Sequence, residues 1–486
     1  PGAPSQLEPG GTSTEPTTSA GPTTSAEPTT NAEPTAGRET IGTSGAVGRT
    51  ETAARGQEVQ PSVGTETADR SEAAGVSEAT GGSAGSPGGG SLANLTLPSL
   101  PPLQQTDGTE WALEGIKASD GASTDHFGYS VVVSSDGNTI GIGAPGHADN
   151  QGKAYVYTRN SSDWSEVRIS AKDAAPSDGF GASVAIAGIG DIMAVGARGK
   201  GNNQGAVYVY RLVAGKWQGA EIIASDGAPS DAFGTSVALS TDGSTLAVGA
   251  IGSADKRGKV YVYKGSGPAR TKAMLVASDG SSGDGFGSSM ALSADGSTLV
   301  VGAKGKGKNA GKVYVFGWNG GWEETGITPS DSAVDGYFGS AVALSADGTE
   351  MAVGSNGAER NRGKVYLYSH GAGGWVEHKV AAYDGAANDS FGTSVALSAD
   401  GGVLAIGAYG RSDGQGKAYV YRLSADAISE SPIAETDGAA KDHFGFSLSL
   451  SADGREVVVG SEQKAVGSMA QQGEVDVARL TPENGS

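Results

Sequence analysis

The chain has 486 residues, a formal net charge of −20 from 54 acidic and 34 basic side chains, 81 glycines and no cysteine. These values exclude disulfides, thiolate metal sites and thiol catalysis, and they argue against nucleic acid, whose phosphates need a basic footprint. No run approaches the roughly 18 consecutive apolar residues of a membrane-spanning helix, so no membrane insertion is expected.

Residues 1–90 are dominated by Pro, Thr, Ser, Ala, Glu and Gly, with a short imperfect repeat at Glu15-Pro-Thr-Thr-Ser-Ala, Gly21-Pro-Thr-Thr-Ser-Ala and Glu27-Pro-Thr-Thr-Asn-Ala. So little apolar surface cannot offset the entropy of ordering. The segment reads as a disordered low-complexity stalk, either O-glycosylated or a bare spacer. Residues 91–106 carry an apolar run, Ser91-Leu-Ala-Asn-Leu-Thr-Leu-Pro-Ser-Leu-Pro-Pro-Leu103, whose prolines bar a helix. It reads as a strap on the outside of the C-terminal domain or as a docking peptide. Asn-x-Ser/Thr acceptors stand at Asn94, Asn160, Asn388 and Asn484 and would matter in a secreted glycoprotein.

From residue 107 to 482 one pattern recurs. Its Phe-Gly pair falls at Phe127, Phe180, Phe233, Phe286, Phe338, Phe391 and Phe444, at a spacing of 53 residues that shortens once to 52. A period this regular marks a repeat architecture. In the third unit, Ser236-Val-Ala-Leu-Ser240 meets Thr245-Leu-Ala-Val248 across an Asp242-Gly243 turn; Lys259-Val-Tyr-Val-Tyr263 and a run ending at Val276 come next. Asp-Gly between β-prone runs signals a hairpin. Four antiparallel strands per unit make a sheet with two apolar faces, which radial stacking buries.

Several units end in a Trp-led run, at Trp164, Trp217, Trp322 and Trp375, whereas the seventh stops after Val475-Asp-Val-Ala-Arg-Leu480. The missing run stands before the first unit as Trp111-Ala-Leu-Glu-Gly-Ile116. The fold class is therefore all-β: a seven-bladed β-propeller closed by an N-terminal strand.

The periodic Phe and Tyr side chains read as packing between blades, which leaves function to the loops. Each loop before a Phe-Gly carries two acids, among them Asp120/Asp125, Asp226/Asp231 and Asp437/Asp442. These either organise turns or supply oxygen ligands to a weak calcium ion, with no cofactor required for folding. The facing loops carry bases, including Lys200, Arg257, Lys304, Lys306, Lys308, Arg360, Arg362 and Arg411. One local break in symmetry is Asp125-His126 beside Asp442-His443, neighbours if the ring closes; two such histidines either hold a transition ion or stand solvated.

Phe127-Gly128 with Gly143-Ala144-Pro145, and its relatives Gly196-Ala-Arg198, Gly249-Ala-Ile251 and Gly302-Ala-Lys304, resemble the FG-GAP repeat, which builds the seven-bladed propeller of integrin α subunits and of many surface proteins. Integrin-like members carry Asp-x-Asp-x-Asp-Gly calcium loops. The matching positions here read Ser135-Asp-Gly137, Ala294-Asp-Gly296, Ala346-Asp-Gly348 and Ala399-Asp-Gly401, which lack that ligand set. The resemblance implies an extracellular or cell-surface binding or adhesion module that recognises a protein or glycan through propeller loops. The alternatives are a structural component of a surface layer or sheath, and a propeller hydrolase or lyase. Blades this uniform offer no catalytic residues, so an enzyme is the less favoured reading.

Overall fold

Alternation along the third strand of each unit decides how the molecule packs. In the computed structural model, Val260 and Val262 point to one neighbouring unit, where they join Phe286, Leu299 and Tyr314 in a buried cluster. Tyr261 and Tyr263 point the other way, to Val207, Phe233 and Val248. Successive side chains of a strand face opposite sides, so one short Lys-Val-Tyr-Val-Tyr run serves two interfaces. The result is seven separate cores, each between two sheets.

The structure describes residues 103–105, 111–161, 163–265, 270–424 and 428–480, all within the unit Ser83–Ser486. The expected stalk, most of the strap, and the acceptors Asn94 and Asn484 lie outside the described residues. Among those described, no helix is long and apolar enough to cross a membrane.

Each sheet is a blade of four antiparallel strands. In blade three these are Phe233–Leu239, Thr245–Ala250, Lys259–Lys264 and Thr271–Leu275, in spatial order. Blade seven takes three strands from the chain end, Phe444–Leu450, Glu456–Ser461 and Glu474–Leu480, and its fourth from Trp111–Ile116. That strand runs antiparallel to the third, with Trp111 opposite Leu480 and Ile116 opposite Val475, as the missing run predicts. Residues Leu103–Gln105, from the expected strap, add a parallel fifth strand at the outer edge of blade six, pairing with Ile428–Glu430.

The two halves of the repeat motif meet across each blade junction. The Gly287 carbonyl of one Phe-Gly accepts the Ser236 hydroxyl of the preceding blade at 2.6 Å, and a Cβ on Gly249, the Gly of Gly-Ala, would collide with that same oxygen. Only glycine permits the approach. Between the second and third strands of six blades the chain makes one left-handed turn, as at Ala254, Asp255 and Lys256, with φ of 52°, 60° and 60°. The carbonyls of Lys256 and Arg257 then accept the amides of Gly285 and Phe286 in the next blade, both at 2.9 Å.

The seam between blades seven and one repeats these contacts. Ser447 Oγ donates to the Gly128 carbonyl at 2.6 Å, and the Phe127 amide donates to the Gln472 carbonyl at 2.8 Å. At the opposite end the Ala452 amide donates to the Ser135 carbonyl at 3.1 Å. The ring is closed.

Candidate functional site

Antiparallel order places the loops before each Phe-Gly and those between second and third strands at one end of the ring. The acid pairs gather here with most of the bases that the sequence singles out. Asp120 accepts Lys153 Nζ at 2.6 Å and Tyr155 Oη at 2.9 Å. Asp226 is held likewise by Tyr261, Lys259 and Lys272, and Asp437 by Lys464 at 2.9 Å. Burial would raise the carboxyls of Asp120 and Asp226, but the lysine and tyrosine hydrogen bonds outweigh it and hold both at about 2. The second acids bind backbone. Asp125, Asp231 and Asp442 accept the amides of Ala122, Ala228 and Ala439, at 2.8, 3.0 and 2.7 Å. Asp125 also accepts His147 Nδ1 at 2.8 Å.

Bases of the facing loops bridge to these acids. Lys200 reaches Asp173 at 2.7 Å, Lys306 reaches Asp284 at 2.9 Å and Arg411 reaches Asp389 at 2.7 Å. Each of these bases also reaches the other acid of its pair, Asp178, Asp279 and Asp384, at 3.6, 3.5 and 3.1 Å, so one cation ties the two together. Among the described residues no group of three or more His, Asp or Glu side chains is placed to hold a metal ion.

On the ring axis, the same end opens into a cavity of about 960 Å³, lined by residues of six blades. Six repeat positions line it, and three of them carry its variation: the residue before Phe-Gly, the residue after, and the residue after Gly-Ala. In blades two to four the first two are small, Gly179, Ala232 and Gly285 with Ala182, Thr235 and Ser288; the third position adds exposed Arg198 and Lys304. Across the cavity those columns become His126, Tyr129 and Glu462.

Glu462 is 4% exposed and is reached by His126 Nδ1 at 2.8 Å and His443 Nδ1 at 3.0 Å. The histidines therefore face one shared carboxylate rather than the neighbouring Asp125 and Asp442. The Glu462 hydrogen bond raises the His126 pKa above its ordinary value, against the opposing effect of burial. Burial pushes Glu462 upward, but bonds from both imidazoles outweigh it and leave its pKa lowered. Aromatic rings adjoin this wall in the same repeat columns: Tyr129 lies 5.3 Å from Phe446, and Tyr409 lies 5.8 Å from Phe446 and 5.0 Å from His443, between ring centroids.

Sequence reasoning found the two histidines but missed Glu462, Tyr129, Tyr409 and Phe446. The signal lay in reading the three columns around the ring, where these are the departures.

Blade seven departs a second time. Glu474 and Asp476 stand where blade six has Lys417 and Tyr419. Burial, with Glu435 and Glu474 beside it, pushes Asp476 up to about 8, while Lys464 lies 3.3 Å from Glu435 and 3.2 Å from Glu474.

Six segments, residues 113–157, 164–210, 217–263, 270–316, 322–368 and 375–421, match the family described as FG-GAP repeat, together more than half of the chain. No curated protein sequence matches the chain. Among solved structures, a chain described as Kuenenia stuttgartiensis Hydrazine Synthase is similar at 16% identity over 71% of this chain and 94% of that one, with a TM-score of 0.48. That likeness is too distant to bear on what this chain does.

Proposed function

Because the chain belongs to the FG-GAP repeat family and closes into a seven-bladed ring, a fold consistent with ligand binding, we propose that it is an extracellular or cell-surface recognition module whose ligand enters the axial cavity. The observation that carries this reading is the asymmetry of that cavity. One wall is small and cationic; the other presents Tyr129, His126 and Glu462, and Tyr409, Phe446 and His443 adjoin it in the same repeat columns. An apolar aromatic surface beside a few convergent polar groups is how pockets fix both affinity and orientation. A saccharide suits it, with ring C–H faces against the aromatics and hydroxyls toward the imidazoles and Glu462.

The competing acid–base reading is weaker. A histidine whose pKa is raised by a buried carboxylate stays charged further toward neutral pH, which suits a charge pair better than a base. Calcium has an accessory place at most, since lysines engage Asp120, Asp226 and Asp437.

A panel of immobilised glycans and surface proteins, probed with the wild-type ring and with a Tyr409→Ala/Phe446→Ala variant, tests the proposal. Selective binding by the wild type and its loss in a still-folded variant is the expected result. Equal binding by both proteins would overturn it.

A further inference from the structure

The junction between blades two and three differs from its neighbours in one pair of side chains. Arg211, on the third strand of blade two (Ala206–Val213), has the same strand parity as Val207 and Val209, which pack against blade three. One repeat later, at the next junction, its place is taken by Lys264, whose Nζ lies 4.3 Å from the Trp318 ring centroid and 5.2 Å from that of Trp322. At the closing seam Arg479 lies 5.8 Å from the Trp164 ring. At both of these junctions a cation at this position lies over an aromatic face.

In blade three that aromatic is absent. Arg270 occupies the position that holds Trp164, Trp217, Trp322 and Trp375 in other repeats. Arg211 and Arg270 therefore line one groove of about 640 Å³, walled by Val209, Val213, Ile222 and Tyr263. Among the described residues neither guanidinium has a carboxylate within ion-pair distance, and Nη1 of Arg270 is buried without a hydrogen-bond partner. Glu221 also borders the groove, but its carboxylate lies 3.5 Å from Tyr208 Oη. Burial and the charge of Arg211 both disfavour the charged form of Arg270.

We propose that this groove is an oxyanion-binding site, in which Arg211 and Arg270 take a sulfate, phosphate or carboxylate group, either free or attached to an organic body. An uncompensated guanidinium in a partly buried setting is costly, and a chain of net charge −20 that puts two together gains most from an external counter-ion. Guanidinium forks match oxyanions bidentately. Tyr263 and Val213 give an attached organic group an apolar rest. The site is separate from the axial cavity and shares no lining residue with it.

Isothermal titration at constant ionic strength tests it, with inorganic sulfate, a monosulfated sugar and glucuronate as probes against wild type, Arg211→Gln and Arg270→Trp. The wild type should show saturable one-site binding of at least one probe, weakened about tenfold or more in each variant. Sulfate alone binding would assign the site to a free ion; tighter binding of a sugar probe would assign it to an attached group. Arg270→Trp restores the residue of the other repeats and should melt higher than wild type without sulfate, which separates loss of binding from loss of folding. The proposal fails if no probe saturates the wild type, or if both variants bind as it does.

Discussion

Glu462 is a buried carboxylate gripped by imidazoles from the first and last blades, so its charge couples the ring seam to the cavity wall. The pH dependence has two limbs. His126 is raised above 6.5, so its contribution is full below that value and is lost as pH rises through the folded pKa; Glu462 is lowered below 4.5, so its contribution is present above 4.5 and is lost as pH falls through the folded pKa. Melting temperatures of wild type and Glu462→Gln should therefore differ most between about pH 4.5 and 6.5 and converge at alkaline pH. A difference that grows steadily to pH 9 would show that the imidazole pair is not its source. The turn acids give a second prediction. Asp231→Ala removes the acceptor of the Ala228 amide and should destabilise by about 1–2 kcal/mol, equally in calcium and in chelator. A loss seen only with calcium would make Asp231 a metal ligand. Spacing made part of this legible: in six blades the first acid and its tyrosine are 35 residues apart, as in Asp120 with Tyr155, a regularity available in the sequence. Glu462 offered no such handle. It joins His443, 19 positions away, to His126, 336 positions away, and only its place after Gly-Ser in the repeat column marks it.

The left-handed turn between second and third strands is the element that hands each blade to the next. A non-glycine residue in that region costs about 1–2 kcal/mol, and here consecutive residues accept it because their carbonyls dock the following Phe-Gly loop. Blades two and four place glycine at the first left-handed position, Gly201 and Gly307, where blade three has Ala254. Ala254→Gly should therefore stabilise the ring by about 1 kcal/mol in a chemical denaturation midpoint measured at unchanged slope. Destabilisation would mean that the Ala254 methyl contributes packing greater than the strain. The turn was legible only at its last position, which is Asn150, Asn203, Asn309 and Asn361 in four blades and Gly414 in a fifth, residue types that accept the left-handed region, whereas Ala254, Glu359 and Ser412 at its start carry no such signal. The hairpins were readable because Asp-Gly acts locally: Asp242 Oδ1 accepts both Ser240 Oγ and the Ser244 amide.

At the scale of the molecule, the absent fourth run of unit seven and its reappearance at Trp111–Ile116 made the closure legible. Deleting residues 111–116 should bare an edge of blade seven and part of its core, seen as association in size-exclusion chromatography and a lower melting temperature. An unchanged monomer with unchanged melting would mean that the closing strand contributes nothing to stability. The axial cavity was not legible because it belongs to no single unit. It arises where six blades converge, and its chemistry lies in departures from a pattern whose regularity draws attention away from them.

The proposed binding face is tested most directly by hydrogen exchange on the full chain, with and without the strongest-binding component of the glycan and protein panel. Protection should concentrate at 124–129, 443–446 and 461–464, the segments that carry His126, Tyr129, His443, Phe446 and Glu462. Protection confined to the outer strands or to the Asp-Gly hairpins, with those segments unchanged, would contradict binding in the axial cavity.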